Sequence, residues 1–479
     1  MQVHWHRRDL RRHDNRGLAL AAGLTGEAGG PAVPLFVFDD EVLAHGSPPR
    51  VRFMLDCLAA LRGEYRDHGS DLVVRRGDPR EVVPAVAAAV DAERVAWNRQ
   101  YSGLARDRDA AVRRALAEAD RPREAVHDAV HHEPGTITTN DGDPYSVFTY
   151  FGRKWHDREK DEPVPAPSTD GLVAADDLTA AGVEPGALPS LDDLGFDEPT
   201  ASLPDAGTEA ARERLAAFCD GPIYEYDEAR EYPARDGTSR LSPHLAWGTI
   251  GVREVYAETA AARAEVDGEA DEAAKEFQEQ LAWREFYTHV LYHNPSVVSE
   301  NYTEYENPIG WRDDPASLAA WKDGETGYPI VDAGMRQLRR EAWMHNRVRM
   351  IVASFLTKDL LIDWREGYDW FRRKLVDHDT ANNNGGWQWA ASTGTDAQPY
   401  FRIFNPMTQG ERYDPDGEYV REYVPELRGV DAETIHSWHE LEDAERTAAA
   451  PDYPAPVVDH AERREAALAM FERARGEDD

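Results

Sequence analysis

The hydrophobic pattern of this chain changes its period once, and that change constrains the fold more than any other feature. Over roughly the first 130 residues, short apolar runs alternate with amphipathic stretches. Val3 to Trp5, Pro34 to Phe38, Leu72 to Val74, Val95 to Trp97 and Ala125 to Val130 read as strands. Val51 to Tyr65 and Leu104 to Ala119 read as helices between them. This alternation predicts an α/β unit around a doubly wound parallel sheet, because parallel strands need a helical crossover to pair. The turn after the first strand, His6-Arg7-Arg8-Asp9-Leu10-Arg11, lacks the glycine fingerprint of a nicotinamide site.

Beyond the α/β unit (residues 1–133) the pattern weakens. Residues 134–206 are rich in Pro, Gly, Asp and Ala and read as a connector over the surface, with Tyr145 to Trp155 packed down. Residues 207–479 carry long helical patterns with few β-branched runs, so an all-α domain is expected there. Ten of the 13 tryptophans fall between Trp247 and Trp438, and a last amphipathic helix spans His460 to Arg475.

Charge bears on the partner. The net charge is −36, which argues against DNA as a partner because phosphates repel such a surface. Acidic residues with few lysines also mark proteins adapted to molar salt. There the Debye length is only about 3 Å, so the excess repels nothing at a distance. We read the composition as halophilic, which returns the DNA question to local features. The start is polar and basic, no run of 18 apolar residues occurs, and Cys57 and Cys219 fit small buried hydrophobes. These features point to the cytoplasm, no membrane and no metal cluster.

Three segments of the helical half exceed what a plain core requires. Arg336 to Lys374 holds ten Arg and Lys against five Asp and Glu, a net of +5 that suggests a phosphate-facing surface. Gly237-Thr238-Ser239-Arg240-Leu241-Ser242-Pro243 offers hydroxyls and backbone N–H groups ahead of a helical pattern, as an anion site needs. Asp377 to Trp389 packs two acids, four amides, two glycines and two tryptophans into thirteen residues. We read it as a ligand-binding loop in which the glycines allow close backbone approach.

These segments also carry a resemblance. Trp5-His6-Arg7-Arg8-Asp9-Leu10-Arg11-Arg12-His13-Asp14-Asn15 resembles the opening signature of the photolyase/cryptochrome family. Gly327 to Arg336, Trp343 to Met350, Asn383 to Thr395 and Tyr400 to Pro406 resemble its class I members, which repair cyclobutane pyrimidine dimers. The resemblance runs from near residue 3 to about Ala467 and is weakest in the connector. It implies an N-terminal α/β domain, a helical FAD-binding domain and ultraviolet-damaged DNA as partner, bound by a monomer.

Position by position, the resemblance implies that Tyr226, Thr238, Ser239, Leu241 and Ser242 hold a U-shaped FAD. Arg284, Asn346, Arg349, Asp377, Asp379 and Asn383 would line the flavin, with Arg349 and Asp377 paired and Asn383 facing N5. Trp283 and Trp389 would wall the flipped dimer, with Gln280, Asn346 and Met350 in contact with it and Arg230 and Arg347 at the DNA. Trp387, Trp364 and Trp311 match a chain that carries electrons from the surface to the flavin. Members that repair (6-4) photoproducts carry histidines at positions 346 and 350, whereas Asn346 and Met350 stand here. A cryptochrome photoreceptor usually adds a signalling tail beyond the resemblance. Two departures stand out: Gln280 replaces a usual Glu, and the antenna site is mixed. Ala105 replaces the Glu of folate-binding members, Arg50 and Ala105 to Asp109 favour a deazaflavin, Ala246 replaces a Lys found in some deazaflavin binders, and FMN, folate or no antenna are the alternatives.

Overall fold

The computed structural model describes residues 1–26 and 29–477. Five strands form one parallel sheet: β1 Gln2–His6, β2 Ala32–Phe38, β3 Val73–Arg76, β4 Arg94–Asn98 and β5 Arg123–Val126, in the order β3-β2-β1-β4-β5. β1, β2 and β4 are found where the apolar pattern places them, whereas β3 starts one residue later and runs on to Arg76. β5 shares only Ala125 and Val126 with the expected run to Val130, so Asp128 leaves the ladder and its carboxylate meets Arg11 and Arg253, each at 2.6 Å.

The sheet is buried on both faces, as its run of apolar residues requires. On β2, Val33, Leu35 and Val37 join one core with Val83, Val86 and Val112 from helices Pro79–Ala89 and Gly103–Glu118. Phe36 and Phe38 face the other way, towards Phe53, Leu58 and Leu61 of helix Pro48–Asp67. The connector does more than cross the surface. Val173, Leu178 and Val183 bury in the first core, Leu191 and Leu194 in the second, and the Val74 N–H donates to Pro185 O at 2.7 Å. Its helix Phe148–Asp157 buries Phe148, Phe151 and Trp155 against the helical half, as the sequence leads one to expect.

The strand order reverses between β1 and β4, which opens a crevice at the strands' C-terminal ends. The helical half closes over it. Arg253, fully buried, binds Asp14 and Asp128 at 2.6 Å each, and Arg11 shares Asp128. Charges this deep are tolerable only when paired, so the network pins helix Val252–Arg263 to the sheet. No helix among the described residues is long and apolar enough to cross a membrane.

Candidate active site

A cavity of about 520 Å³ opens in the helical half, within the usual range for cofactor sites. Four helices frame it: Glu269–His293, Asn346–Ser354, Trp364–Lys374 and Thr380–Ala391. The turn and short helix around Thr238 and Ser242 close one side.

The segment read as a loop from Asp377 is a helix from Thr380 onward. Asn382-Asn383-Asn384-Gly385-Gly386 are weak helix formers, each costing about 0.5–1 kcal/mol against Ala. Packing and capping offset that cost. The Asp379 carboxylate accepts from the Asn382 backbone at 3.0 Å and from its amide at 2.9 Å. Asn384 and Gln388 both donate to Val297 O at 2.7 Å. A Cβ on Gly385 would stand 2.2 Å from the Tyr287 ring, so this glycine serves packing. Gly386 lines the cavity, and a Cβ there would meet nothing within 4 Å, so it alone keeps the role of exposing backbone to a ligand.

The floor is polar and charged. Arg349 Nη2 lies 2.7 Å from Asp377 Oδ2, as the ion pair read from the sequence requires. Ser242 Oγ donates to the same oxygen at 2.6 Å, while Asp377 Oδ1 is buried without a partner, an acceptor left for a donor in the cavity. Burial opposes ionisation of Asp379, but Arg8, Arg284 and the Asn382 amides outweigh it and hold the carboxyl at about 2. Arg8 comes from the sheet side, donating to Ala246 O at 2.7 Å and reaching Asp379 Oδ2 at 3.4 Å. Burial lowers the pKa of Arg284, whose Nη1 donates to Ala129 O at 2.7 Å.

The rim is aromatic and amidic. Trp283 and Trp389 both line the cavity, and Trp283 stacks one face on Phe148 of the connector, 3.7 Å between centroids and 11° between planes. Asn346 and Met350, one helical turn apart, touch at 3.8 Å. Gln280 Nε2 donates to Glu276 Oε1 at 3.1 Å. Arg230, Arg347 and Asn383 also line the cavity.

Some expected residues stand elsewhere. Thr238 and Ser242 reach the cavity lining with Tyr226, but Ser239 and Leu241 do not. Ser239 Oγ instead accepts from the Leu241 N–H at 3.4 Å, and Leu241 belongs to the core, so these two shape the turn. Trp387 is buried at the cavity wall, and a Cβ on Gly367 would fall 2.0 Å from its Cη2. Gly367 lies on the same helix as Trp364, which is buried and donates to Asn301 Oδ1 at 2.9 Å. Trp311 packs on Phe471 and is partly exposed. Of the three indoles, Trp387 lines the pocket, Trp364 is buried and Trp311 is partly exposed.

The net-positive island is not an open phosphate-facing stripe. Arg336, Arg339, Arg340, Arg365, Arg372 and Arg373 each pair with a carboxylate, and Lys358 is buried. Of the island's cations, only Arg347 and Arg349 reach the cavity. The reading failed because many neutralising acids, such as Asp323, Glu422 and Glu426, lie outside the counted window. Sequence reasoning also missed Arg8, Phe148, Glu231 and Glu276 as neighbours of the site. Arg8 stands within the quoted opening motif, and Glu276 lies one turn before Gln280; nothing local marks Phe148 or Glu231.

A doubly wound sheet closed by a helical half with a deep polar pocket defines the photolyase/cryptochrome class of fold. The chain belongs to the DNA photolyase family: residues 2–168 match the DNA photolyase family and residues 277–473 the FAD binding domain of DNA photolyase. It is 65% identical, over the full length of both chains, to a deoxyribodipyrimidine photo-lyase of Halobacterium salinarum. The corresponding protein of Escherichia coli is 40% identical, with 98% of each chain covered. Among solved structures, a class III photolyase of Agrobacterium tumefaciens superposes with a TM-score of 0.87 at 35% identity, covering 99% of this chain and 97% of that one. An archaeal photolyase of Sulfolobus tokodaii, solved with two FAD molecules, superposes at 0.80 with 31% identity, covering 98% and 99%.

Proposed function

We propose that this protein is a deoxyribodipyrimidine photo-lyase, which uses light and reduced FAD to split cyclobutane pyrimidine dimers in DNA. One observation carries the reading: a single cavity joins the Arg349–Asp377 floor to a rim of two tryptophans and two arginines. The residues present fit FAD. The unpartnered Asp377 Oδ1, the open space at Gly386 and the hydroxyl of Thr238 supply an acceptor, a backbone approach and a donor. In this reading Tyr226, Thr238 and Ser242 hold the cofactor directly, and Ser239 and Leu241 set the turn that presents them. Arg284, Asn346, Arg349, Asp377, Asp379 and Asn383 hold the ring system. When bound and reduced, FAD supplies on illumination the electron that opens the cyclobutane ring.

The chain's own residues do the rest. A dimer must leave the duplex to reach the pocket, and Trp283 and Trp389 receive it by stacking worth about 1–3 kcal/mol per base. Gln280, Asn346 and Met350 contact the dimer, and Arg230 and Arg347 face the phosphates. The Asn383 amide cannot take up a proton, so it favours an anionic neighbour. Trp387, Trp364 and Trp311 relay electrons inward from the surface. The domain division follows this reading: sheet domain 1–133, connector 134–206 and FAD domain 207–479. A monomer working in the cytoplasm accords with it.

A second, light-gathering chromophore of anionic character is part of the proposal. Arg50 donates to Ser47 Oγ at 3.1 Å and to His45 O at 2.6 Å. Burial, with Arg8 and Arg372 nearby, pushes it down to about 9. A carboxylate partner is absent among the described residues, which leaves room for an anionic ligand. We favour a deazaflavin over FMN or folate. The absorbance spectrum of the purified protein tests both parts: flavin bands are required, and a deazaflavin adds a separate near-visible band. Dark binding supplies the DNA test. Preference for dimer-containing over undamaged DNA must fall in Trp283→Ala, and an unchanged preference overturns the pocket assignment.

A further inference from the structure

At the cavity mouth, four charged side chains form an unbroken line of alternating sign. Glu231 contacts Arg347 directly and lies 3.7 Å from Arg230. Arg230 in turn pairs with Glu276. Two arginines and two glutamates cancel, so this line carries no net charge where DNA phosphates would arrive. Each arginine also rests on an aromatic ring. The Arg347 guanidinium lies 4.4 Å over the Tyr413 ring, and that of Arg230 lies 5.4 Å over Tyr226. The Glu231 side chain is 26% exposed and that of Arg347 16%, so an incoming anion can reach the pair from water.

We propose that Glu231 is a built-in counterion: it occupies the phosphate-binding side of Arg230 and Arg347 until DNA displaces it, and so limits binding to undamaged DNA. The inference rests on the DNA-repair reading above. A free arginine that neutralises a phosphate releases a condensed cation and steepens log affinity against log salt by about 0.9. An arginine already matched by a carboxylate neutralises the phosphate less, because that carboxylate must be pushed aside or remain as a repelling neighbour. The penalty falls on every DNA alike. The flipped dimer gains stacking inside the cavity that undamaged DNA lacks, so the discounted phosphate term leaves selectivity to the pocket. Glu276 makes the same kind of contact to Arg230, but it also holds the Gln280 amide. Glu231 is therefore the cleaner position to perturb.

The test is Glu231→Gln, close in shape and without the charge, in the flavin-loaded full chain. Binding to dimer-containing and to undamaged duplex is titrated in the dark between 0.1 and 1 M salt. The variant should steepen the salt slope by about 0.9, an extra eightfold or so across that range. It should bind both duplexes several-fold more tightly at 0.1 M, with the ratio between damaged and undamaged duplex unchanged, because the penalty is common to both. Glu231→Asp, which keeps a carboxylate, should hold the parent's slope. Glu231→Ser, smaller and equally uncharged, repeats the measurement if the glutamine variant loses its flavin. An unchanged slope in a dimer-selective protein overturns this inference alone. Weaker binding of both duplexes also overturns it, since Glu231 would then be positioning the arginines for DNA. A parent protein without dimer preference overturns the underlying reading and this inference with it.

Discussion

Gln280→Glu places a second carboxyl against one that burial already disfavours. The Gln280 amide donates to Glu276 Oε1 at 3.1 Å. Burial raises the pKa of Glu276, Glu279 and Asp227 add to the rise, and Arg230 opposes it. Two carboxyls at that distance do not both ionise freely, so one of the pair holds its proton to higher pH. Each tenfold shift of that protonation equilibrium corresponds to about 1.4 kcal/mol, and less where screening acts at this partly exposed site. The sign follows from linkage: a pKa raised on folding adds no penalty below the unfolded value, about 4.3. The penalty grows as pH climbs to the folded value. The variant should therefore match its parent in urea unfolding near pH 4 far better than at pH 8. A protonated carboxyl can also share its proton with a pyrimidine carbonyl as charge develops there, which an amide cannot. Single-turnover repair yield on pre-reduced enzyme should rise, more at pH 6 than at pH 8, with dimer affinity changing less than about tenfold, or 1.4 kcal/mol. Parallel stability curves at the two pH values would refute the shared-proton argument. A yield no higher than the parent's would refute the view of Gln280 as a weakened position.

Other perturbations separate the parts of the site. Trp387→Phe should abolish photoreduction of oxidised FAD, read by absorbance, while pre-reduced enzyme still repairs. Asp377→Asn leaves Arg349 without its carboxylate; breaking so buried a pair costs about 3 kcal/mol at the upper end once partial exposure of Arg349 is allowed for. The expected readout is flavin loss on gel filtration. Phe148→Ala removes the stacked support of Trp283 and should cost about 3 kcal/mol or more in stability. It should also lower dimer affinity at least tenfold by dark titration. Across all of these, the salt slope of the parent should stay shallower than roughly 4, since about 0.9 is expected per phosphate contact.

The sheet was legible in the sequence because its central strands β1, β2 and β4 are buried on both faces and appear as apolar runs, whereas the edge strands β3 and β5 carry Arg and Glu and were placed less well. Asp377 to Trp389 was legible as a site but not as a helix, since Asn and Gly propensities point to a loop. The contacts of Asn384, Gln388 and Gly385 with distant residues decide the conformation. The ion pair of Arg349 with Asp377 followed from the family resemblance. The charge arrangement at the mouth did not, because Glu231 and Arg347 stand 116 positions apart and nothing local joins them. For the same reason, the net-positive island looked open: its neutralising acids come from other segments of the chain.

The central claim is that this cavity splits pyrimidine dimers with light. The direct measurement uses an oligonucleotide carrying one defined thymine dimer and purified protein with reduced flavin, at molar salt. Restored thymines are counted chromatographically after illumination and in a dark control. The account predicts that illumination restores both thymines with turnover and that the dark sample stays unchanged. Flavin bound, reduced and illuminated, with the dimer bound yet intact, would contradict it.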